Sequence, residues 1–259
     1  KQLKKIFVKG NLEGEFIIPF ESDGSINENY TFYGRIIEAD INITKDYKIK
    51  NLTAEIGYGD NSFTDVDDLR IIINKGSFLN LELTKSQIDI KFKDNKKFVQ
   101  SSIHTKGNIN FQEMQKITSL LGVKKNNFED INLTSDLITN IEFNIDNKFK
   151  VGNMSYIVQG DISKLQIKIA ERKKIKEFMP SFSSEITFKN TKINFKALNG
   201  ISGDHSLKLK GEVKFGDEFE KAEIIQLYNK KNKKYSISGS STLFGSSINI
   251  SKLNYKKEK

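Results

Sequence analysis

Two kinds of side chain in this sequence have the chemistry for acid–base catalysis or for metal binding: histidines and a run of aspartates. His104 and His205 are far apart in the sequence, and neither has a partner at the spacing of a known motif. The aspartates between residues 60 and 68 lack the glycine and the closing glutamate of an EF-hand loop, so we interpret this segment as a polar hairpin loop. The sequence contains no nucleophile-elbow, phosphate-loop, zinc-protease or dinucleotide-binding motif. We therefore predict a protein that is not an enzyme and that uses no cofactor and no metal.

The charge pattern bears on nucleic-acid binding. The chain has 42 Lys and Arg residues against 33 Asp and Glu residues, which gives a formal net charge of +9. Nearly all the basic residues are lysines that alternate with apolar residues, as in segment 207–210, and this places them on the solvent face of strands. Phosphate-binding surfaces usually rely on arginine, of which this chain has few. We predict no nucleic-acid partner and interpret the lysines as a solubilising face that discourages edge pairing.

Alternation of apolar and polar residues with a period of two runs through nearly the whole sequence and predicts β-strands. Hydrophobic residues make up only 37% of the 259 residues, which suits a sheet with one dry face and one wet face. Most predicted connections are short, which favours antiparallel neighbours. We predict a mainly β fold: a long, curved, largely antiparallel amphipathic sheet that forms a half-pipe or groove, with one short amphipathic helix. One of the predicted strands runs from Phe78 to Leu83.

Glycines interrupt the strands in a recurring way. Six segments repeat one phrase, in which a glycine takes the place of an apolar residue within an alternating strand. The glycines of these phrases are Gly10 with Gly14, Gly34, Gly107, Gly160, Gly211 and Gly239. Strand side chains alternate between two faces, so each glycine lies on the apolar face. A glycine inside a strand marks a bend or a close approach of another group, and we predict that the sheet bends toward its apolar face.

One helix is predicted at residues 110–122. Asn110 is placed to cap it, Glu113 follows three residues later, an apolar stripe runs along one face, and Gly122 ends it. A weaker helical pattern covers residues 171–179. We expect residues 1–259 to form a single elongated β domain with a seam near residues 122–129, as a segment of a longer protein.

The segment Leu207-Lys208-Leu209-Lys210-Gly211-Glu212-Val213 carries a resemblance to a known family. Strands of this form, many in succession with few prolines and no catalytic residues, resemble the AsmA-like family of Gram-negative envelope proteins, of the TamB and YhdP type. The resemblance implies a periplasmic protein, tethered to the inner membrane by an anchor outside this segment. It further implies that a half-pipe sheet conducts phospholipid or another acyl lipid from the inner to the outer membrane, with an outer-membrane protein as a further partner.

The residues predicted to line the lipid groove share the apolar strand face. An acyl chain needs a dry, continuous surface, because each CH₂ group removed from water contributes about 0.8 kcal/mol. The predicted lining is Val8, Leu12, Phe16, Ile36, Ile90, Ile103, Ile109, Phe143, Ile145, Val158, Ile162, Phe188, Phe195, Leu207, Leu209, Val213, Ile237 and Leu243.

Two other functions fit the same pattern. An apolar strand face usually packs against a second sheet, so the chain could be a structural or adhesive β module with an ordinary closed core and no lipid. A small-molecule-binding barrel that resembles a lipocalin is a third interpretation, and it requires that the first and last strands pair.

Overall fold

The structure, a computed structural model, describes residues 7–27, 29–44, 46–59, 68–93, 96–120, 128–148, 150–170, 173–200, 203–242 and 246–258. Four sequence predictions therefore lie outside the described residues. They concern Leu243, the end of the first helix at Gly122, most of the expected seam, and the aspartates between residues 60 and 67.

Twelve strands form one sheet in which each strand pairs with its neighbours in the sequence. They are β1 (Phe7–Ile17), β2 (Thr31–Asn42), β3 (Lys48–Tyr58), β4 (Asp68–Phe78), β5 (Leu81–Lys93), β6 (Lys96–Asn110), β7 (Phe128–Ile145), β8 (Val151–Ile169), β9 (Glu185–Ala197), β10 (His205–Lys214), β11 (Glu220–Asn229) and β12 (Lys234–Ser241). A separate hairpin joins β13 (Ile248–Ile250) to β14 (Tyr255–Lys257) through a 3₁₀ turn. Among the described residues, α-helices form at α1 (Phe111–Leu120) and α2 (Lys173–Phe178).

The predicted mainly β, antiparallel fold is confirmed. The order of the described strands leaves β1 and β12 as the two edges, each with one partner, so the sheet is open. The predicted strand from Phe78 to Leu83 is wrong. β4 ends at Phe78 and β5 begins at Leu81, because Leu79 adopts a left-handed conformation with φ of 54° and turns the chain.

The predicted helix is present, and its first turn is capped as expected. The Asn110 N–H donates to Glu113 Oε2 over 3.0 Å, and the Glu113 N–H donates to Asn110 Oδ1 over 3.0 Å. This reciprocal pair satisfies two backbone donors that a helix start leaves unpaired. The weaker pattern at residues 171–179 also yields a helix, α2.

The chain divides into two compact units. Unit 1 holds residues 1–106, 138–157 and 198–200, and unit 2 holds residues 107–137, 158–197 and 201–259. Each unit has an apolar cluster of its own. The unit 1 cluster is built from Ile36, Ala39, Leu52, Ala54, Ile73 and Leu83. The unit 2 cluster is built from Ile131, Leu133, Ile162, Leu165, Phe188, Leu209 and Val213.

Unit 1 contains β-bulges in adjacent strands. The register shifts at Val8 in β1, at Glu38 in β2, where φ is 49°, and at Asn51 in β3, where φ is 50°. Gly10, with φ of 111°, lies opposite the β2 bulge. Each bulge adds one residue to its strand and moves the side-chain alternation by one position, which bends the strand. Ile36 and Ala39 therefore both face the core although they are three residues apart.

The C-terminal hairpin of unit 2 is fixed by a buried carboxylate. Glu220 is 3% exposed, and its oxygens accept hydrogen bonds from Ser241 Oγ at 2.9 Å and from Ser246 Oγ at 2.8 Å. Lys257 Nζ donates to the Ser246 carbonyl over 2.8 Å. These bonds tie the segment that follows the sheet to the start of β11, because a buried carboxylate is stable only when its oxygens are bonded.

Candidate functional site

The predicted lipid-contact residues fall into three groups by exposure. The buried ones are Ile36, Ile109, Ile162, Phe188, Leu209 and Val213. The half-buried ones are Ile90, Ile103, Phe143, Ile145, Val158, Phe195 and Leu207. The exposed ones are Val8, Leu12, Phe16 and Ile237.

The unit 2 cluster is filled by protein side chains. Ile162 is 2% exposed and Val213 is 1% exposed. Phe111 and Met114 of α1 pack against the same cluster, as the apolar stripe of the helix predicted. A ligand would reach these side chains only if the core opened, so the surface available to an apolar ligand lies elsewhere on this face.

Edge strand β1 of unit 1 provides such a surface. Leu12 is 57% exposed and Phe16 is 66% exposed, and exposed Val8 lies at the bulge near the start of the same strand. The Phe16 ring contacts the Phe32 ring of β2 with centroids 4.5 Å apart. Because β1 has a partner on one side only, these side chains are covered on one side and open on the other.

Two glycines allow the Phe32 ring to lie flat over the strands. Gly14 and Gly34 face each other across β1 and β2, and a Cβ atom on either would come within 2.6 Å of the ring. These two glycines lie on the apolar face, as predicted. Gly160 and Gly211 differ, since a Cβ on either would meet the backbone of the neighbouring strand at 2.2 to 2.5 Å. At these two positions the glycine permits a close approach between strands, which is the other role expected of it.

Edge strand β12 of unit 2 exposes a second apolar group. Ile237 is 73% exposed, and Tyr235 precedes it on the same face. Tyr235 packs on Tyr228 of β11 with ring centroids 4.5 Å apart, and Tyr228 stacks on the ring of His205 at 4.8 Å. His205 Nδ1 also lies 3.1 Å from the Gly203 carbonyl oxygen. The contacts of His205 are therefore those of a packed aromatic side chain.

His104 of β6 contacts hydroxyl groups of β5. His104 Nδ1 lies 3.1 Å from Thr84 Oγ1, and its backbone N–H donates to Ser86 Oγ over 2.9 Å. Within the described ranges, no group of three or more His, Cys, Asp or Glu side chains is placed to hold a metal ion.

The concave surfaces of the described residues lie on the polar faces. Two adjoining depressions of about 620 and about 410 Å³ open on unit 2, and both are lined by Lys192 and Lys210. A third, of about 330 Å³, opens on unit 1 between Gln87 and Glu142. Sequence reasoning missed the lysine-lined depressions. The alternating lysines were visible, but the strand register that brings Lys192 opposite Lys210 was not.

Comparison with known proteins found no matching family model, no matching curated protein and no matching solved structure. In the part of the chain that the structure describes, neither helix is long and apolar enough to cross a membrane.

Proposed function

We propose that this chain binds acyl lipid along the apolar face of its open sheet and conducts it between membranes. The observation that carries the proposal is the row of exposed Val8, Leu12 and Phe16 on edge strand β1. Water-exposed apolar side chains in a contiguous row favour an apolar ligand. An acyl chain that covers them gains about 0.8 kcal/mol for each buried CH₂ group.

The setting of this activity rests on the family resemblance. We propose a segment of a phospholipid transport bridge in the bacterial envelope, located in the periplasm and tethered to the inner membrane. The hydrophobic interaction is non-directional, so an acyl chain can move along such a row without breaking specific bonds.

The burial of the core residues divides the predicted lining into two classes. Exposed Leu12, Phe16 and Ile237 contact the lipid directly, while the buried residues hold the sheet in shape. Burial of Ile162 and Val213 equally favours a second function, that of a structural or adhesive module with an ordinary core.

Photocrosslinking separates the two functions. A benzophenone amino acid placed at Leu12, Phe16 or Ile237 should crosslink to phospholipid in cells, and native mass spectrometry should detect bound lipid in gently purified protein. The matched controls are Glu13, Glu15 and Ser238, neighbours on the opposite faces of the same strands. Equal crosslinking at the controls, or no lipid at any of the three test positions, would leave the structural module as the function.

A further inference from the structure

Lys192 and Lys210 lie directly opposite each other across β9 and β10. Like charges in opposite positions of an antiparallel pair destabilise a sheet. Among the described residues, no carboxylate lies within 4 Å of Lys192 Nζ. A bound anion between the two ammonium groups would turn this repulsion into attraction.

The two lysines line a concavity that a regular flat strand pair does not form. A bulge at Asn190, with φ of 47°, adds one residue to β9 beside this pair. Gly211 on β10 lets the backbones approach at that point, since a Cβ there would lie 2.5 Å from Thr191 Cα. The adjoining depressions of about 620 and about 410 Å³ meet at Lys192 and Lys210.

Further polar groups around the larger depression complete a donor set for an anion. Its lining includes Lys221, the Asn190 amide and the hydroxyl-bearing residues Ser240 and Thr242. Lysine ammonium and hydroxyl groups are donors that phosphate oxygens accept from in proteins.

Of the two glutamates that line the larger depression, Glu223 has lysine partners. Glu223 Oε1 lies 2.6 Å from Lys208 Nζ, and its other oxygen lies 3.9 Å from Lys210 Nζ. Glu212 stands opposite Lys189 on one side and opposite Lys221 on the other. Asp161 lines only the smaller depression. Among the described residues, Lys192 is therefore a cation that an incoming anion meets without a carboxylate in contact with it.

We propose that this depression binds a phosphate group, with Lys192 and Lys210 as its principal ligands and Lys221 as a third cation. The phosphate is either free in solution or part of a phospholipid headgroup. The site lies on the lysine-bearing face and does not depend on the acyl-lipid function proposed for the opposite face.

Calorimetry with inorganic phosphate tests the proposal at constant ionic strength. The double variant Lys192→Gln/Lys210→Gln should bind phosphate about a hundredfold more weakly, because each of the two lost charged hydrogen bonds contributes about a factor of ten. The matched control Lys164→Gln/Lys234→Gln removes the same charge from exposed positions of unit 2 outside the depressions, and it should change the affinity less than about twofold, since screened distant charges contribute little. Lys192→Gln alone should keep or raise the melting temperature, whereas a structural role for Lys192 would lower it.

Vesicle binding identifies the source of the phosphate. Phosphatidylcholine vesicles with and without phosphatidic acid are cosedimented with the wild-type protein and both double variants. The site is supported if the wild type binds either free phosphate or the vesicles that contain phosphatidic acid. This binding must be lost in Lys192→Gln/Lys210→Gln and kept in Lys164→Gln/Lys234→Gln. Equal losses in both double variants, or no binding of either probe to the wild type, would overturn it. Crosslinking at Phe16 should be unchanged in every variant, so the two proposals fail separately.

Discussion

Unit 1 and unit 2 are built from the same antiparallel meander, but they differ in how they bend strands and balance charge. Unit 1 places Glu38 and Asn51 in left-handed bulges, while unit 2 combines a bulge at Asn190 with glycines that allow close backbone approach. Unit 1 also uses a glycine where strands approach closely, since a Cβ on Gly10 would lie 2.5 Å from Ala39 Cα. In unit 2 such glycines are Gly160 and Gly211, where a Cβ would meet backbone atoms at 2.2 to 2.5 Å.

Charge is arranged differently in the two units. In unit 1, Arg70 stands opposite Asp89 with a contact of 2.7 Å, and Asp68 stands opposite Lys91. In unit 2, strands β9 to β12 hold eight lysines and four glutamates, one of which is the buried Glu220. Unit 1 therefore places opposite charges across these strand pairs, whereas β9 and β10 of unit 2 place Lys192 opposite Lys210.

The largest loss of stability is expected when a glycine of unit 2 is replaced, which tests whether unit 2 depends on that glycine. Gly160 has φ of 148°, and a Cβ there would lie 2.2 Å from the Asp136 carbonyl oxygen. Gly160→Ala should lower the free energy of unfolding by about 3 to 4 kcal/mol, from backbone strain and overpacking together. Urea denaturation followed by circular dichroism measures this loss.

The matching experiment in unit 1 is Glu38→Gly, which removes a side chain from a left-handed residue. Its free energy of unfolding should stay within about 0.5 kcal/mol of the wild type, because relief of the left-handed strain offsets the entropy cost of glycine. Lys164→Gly, in an ordinary strand position, should cost about 1 kcal/mol. Similar losses for Gly160→Ala and Glu38→Gly would remove the distinction between the units.

A matched pair of leucines compares the unit 2 core with the unit 1 edge. Leu209 is 9% exposed in the unit 2 cluster, whereas Leu12 is 57% exposed on β1. Leu209→Ala should lower the free energy of unfolding by about 3 kcal/mol, and Leu12→Ala should lower it by less than about 1 kcal/mol. Equal losses in denaturant titrations would mean that Leu12 is covered in solution, against its proposed contact with lipid.

Helix α1 belongs to unit 2, and removing its N-terminal cap should lower the stability by an intermediate amount. Asn110→Ala removes the side-chain oxygen that accepts from the Glu113 N–H, and it should cost about 1 kcal/mol. Asn110→Asp keeps an acceptor and should retain stability. Thermal melts of the two variants check this, and a loss in Asn110→Asp as large as in Asn110→Ala would contradict the capping role.

Charge reversal should act in opposite directions in the two units. Lys192→Glu creates an opposite-charge pair with Lys210 and should raise the free energy of unfolding by up to about 1 kcal/mol, while Asp89→Lys opposes Arg70 with a like charge and should lower it by a similar amount. Both effects should shrink in high salt. Changes of the same sign in the two units would contradict the charge comparison.

The smallest expected effect is a change in the pKa of the Glu223 carboxyl group. The hydrogen bond from Lys208, helped by the positive charge of Lys208 and Lys210, holds the pKa of Glu223 below its ordinary value. The stabilisation from this pair is therefore present above the ordinary carboxyl pKa, and it is lost as the pH falls through the lowered pKa of the folded state. Carbon-detected NMR of Lys208→Gln should show the pKa of Glu223 shifted upward, and Lys164→Gln should leave it unchanged.

Much of the fold follows from local sequence rules. Period-two alternation predicted the strands, and the spacing of Asn110 and Glu113 predicted the helix cap, because both depend on residues close together in the chain. The turn at Leu79 was missed, since leucine is uncommon in left-handed turns and Asn80 was the one turn-forming residue beside it.

Two of the bulges could have been predicted from the spacing of core residues in the sequence. Ile36 and Ala39, like Phe188 and Thr191, are buried residues spaced by three in strands that otherwise alternate by two. Such a break in phase indicates an inserted residue. The pairing of Lys192 with Lys210 had no such local signal, because it depends on the register between two strands.

The sequential strand order has a consequence for how the protein folds. Every connection in the sheet joins two strands that pair, and most of these connections span only a few residues, as between Phe78 and Leu81. Contacts between residues near in sequence form quickly and need little loop-closure entropy. The sheet can therefore grow strand by strand as the chain leaves the ribosome, each new hairpin adding to an edge that is already formed.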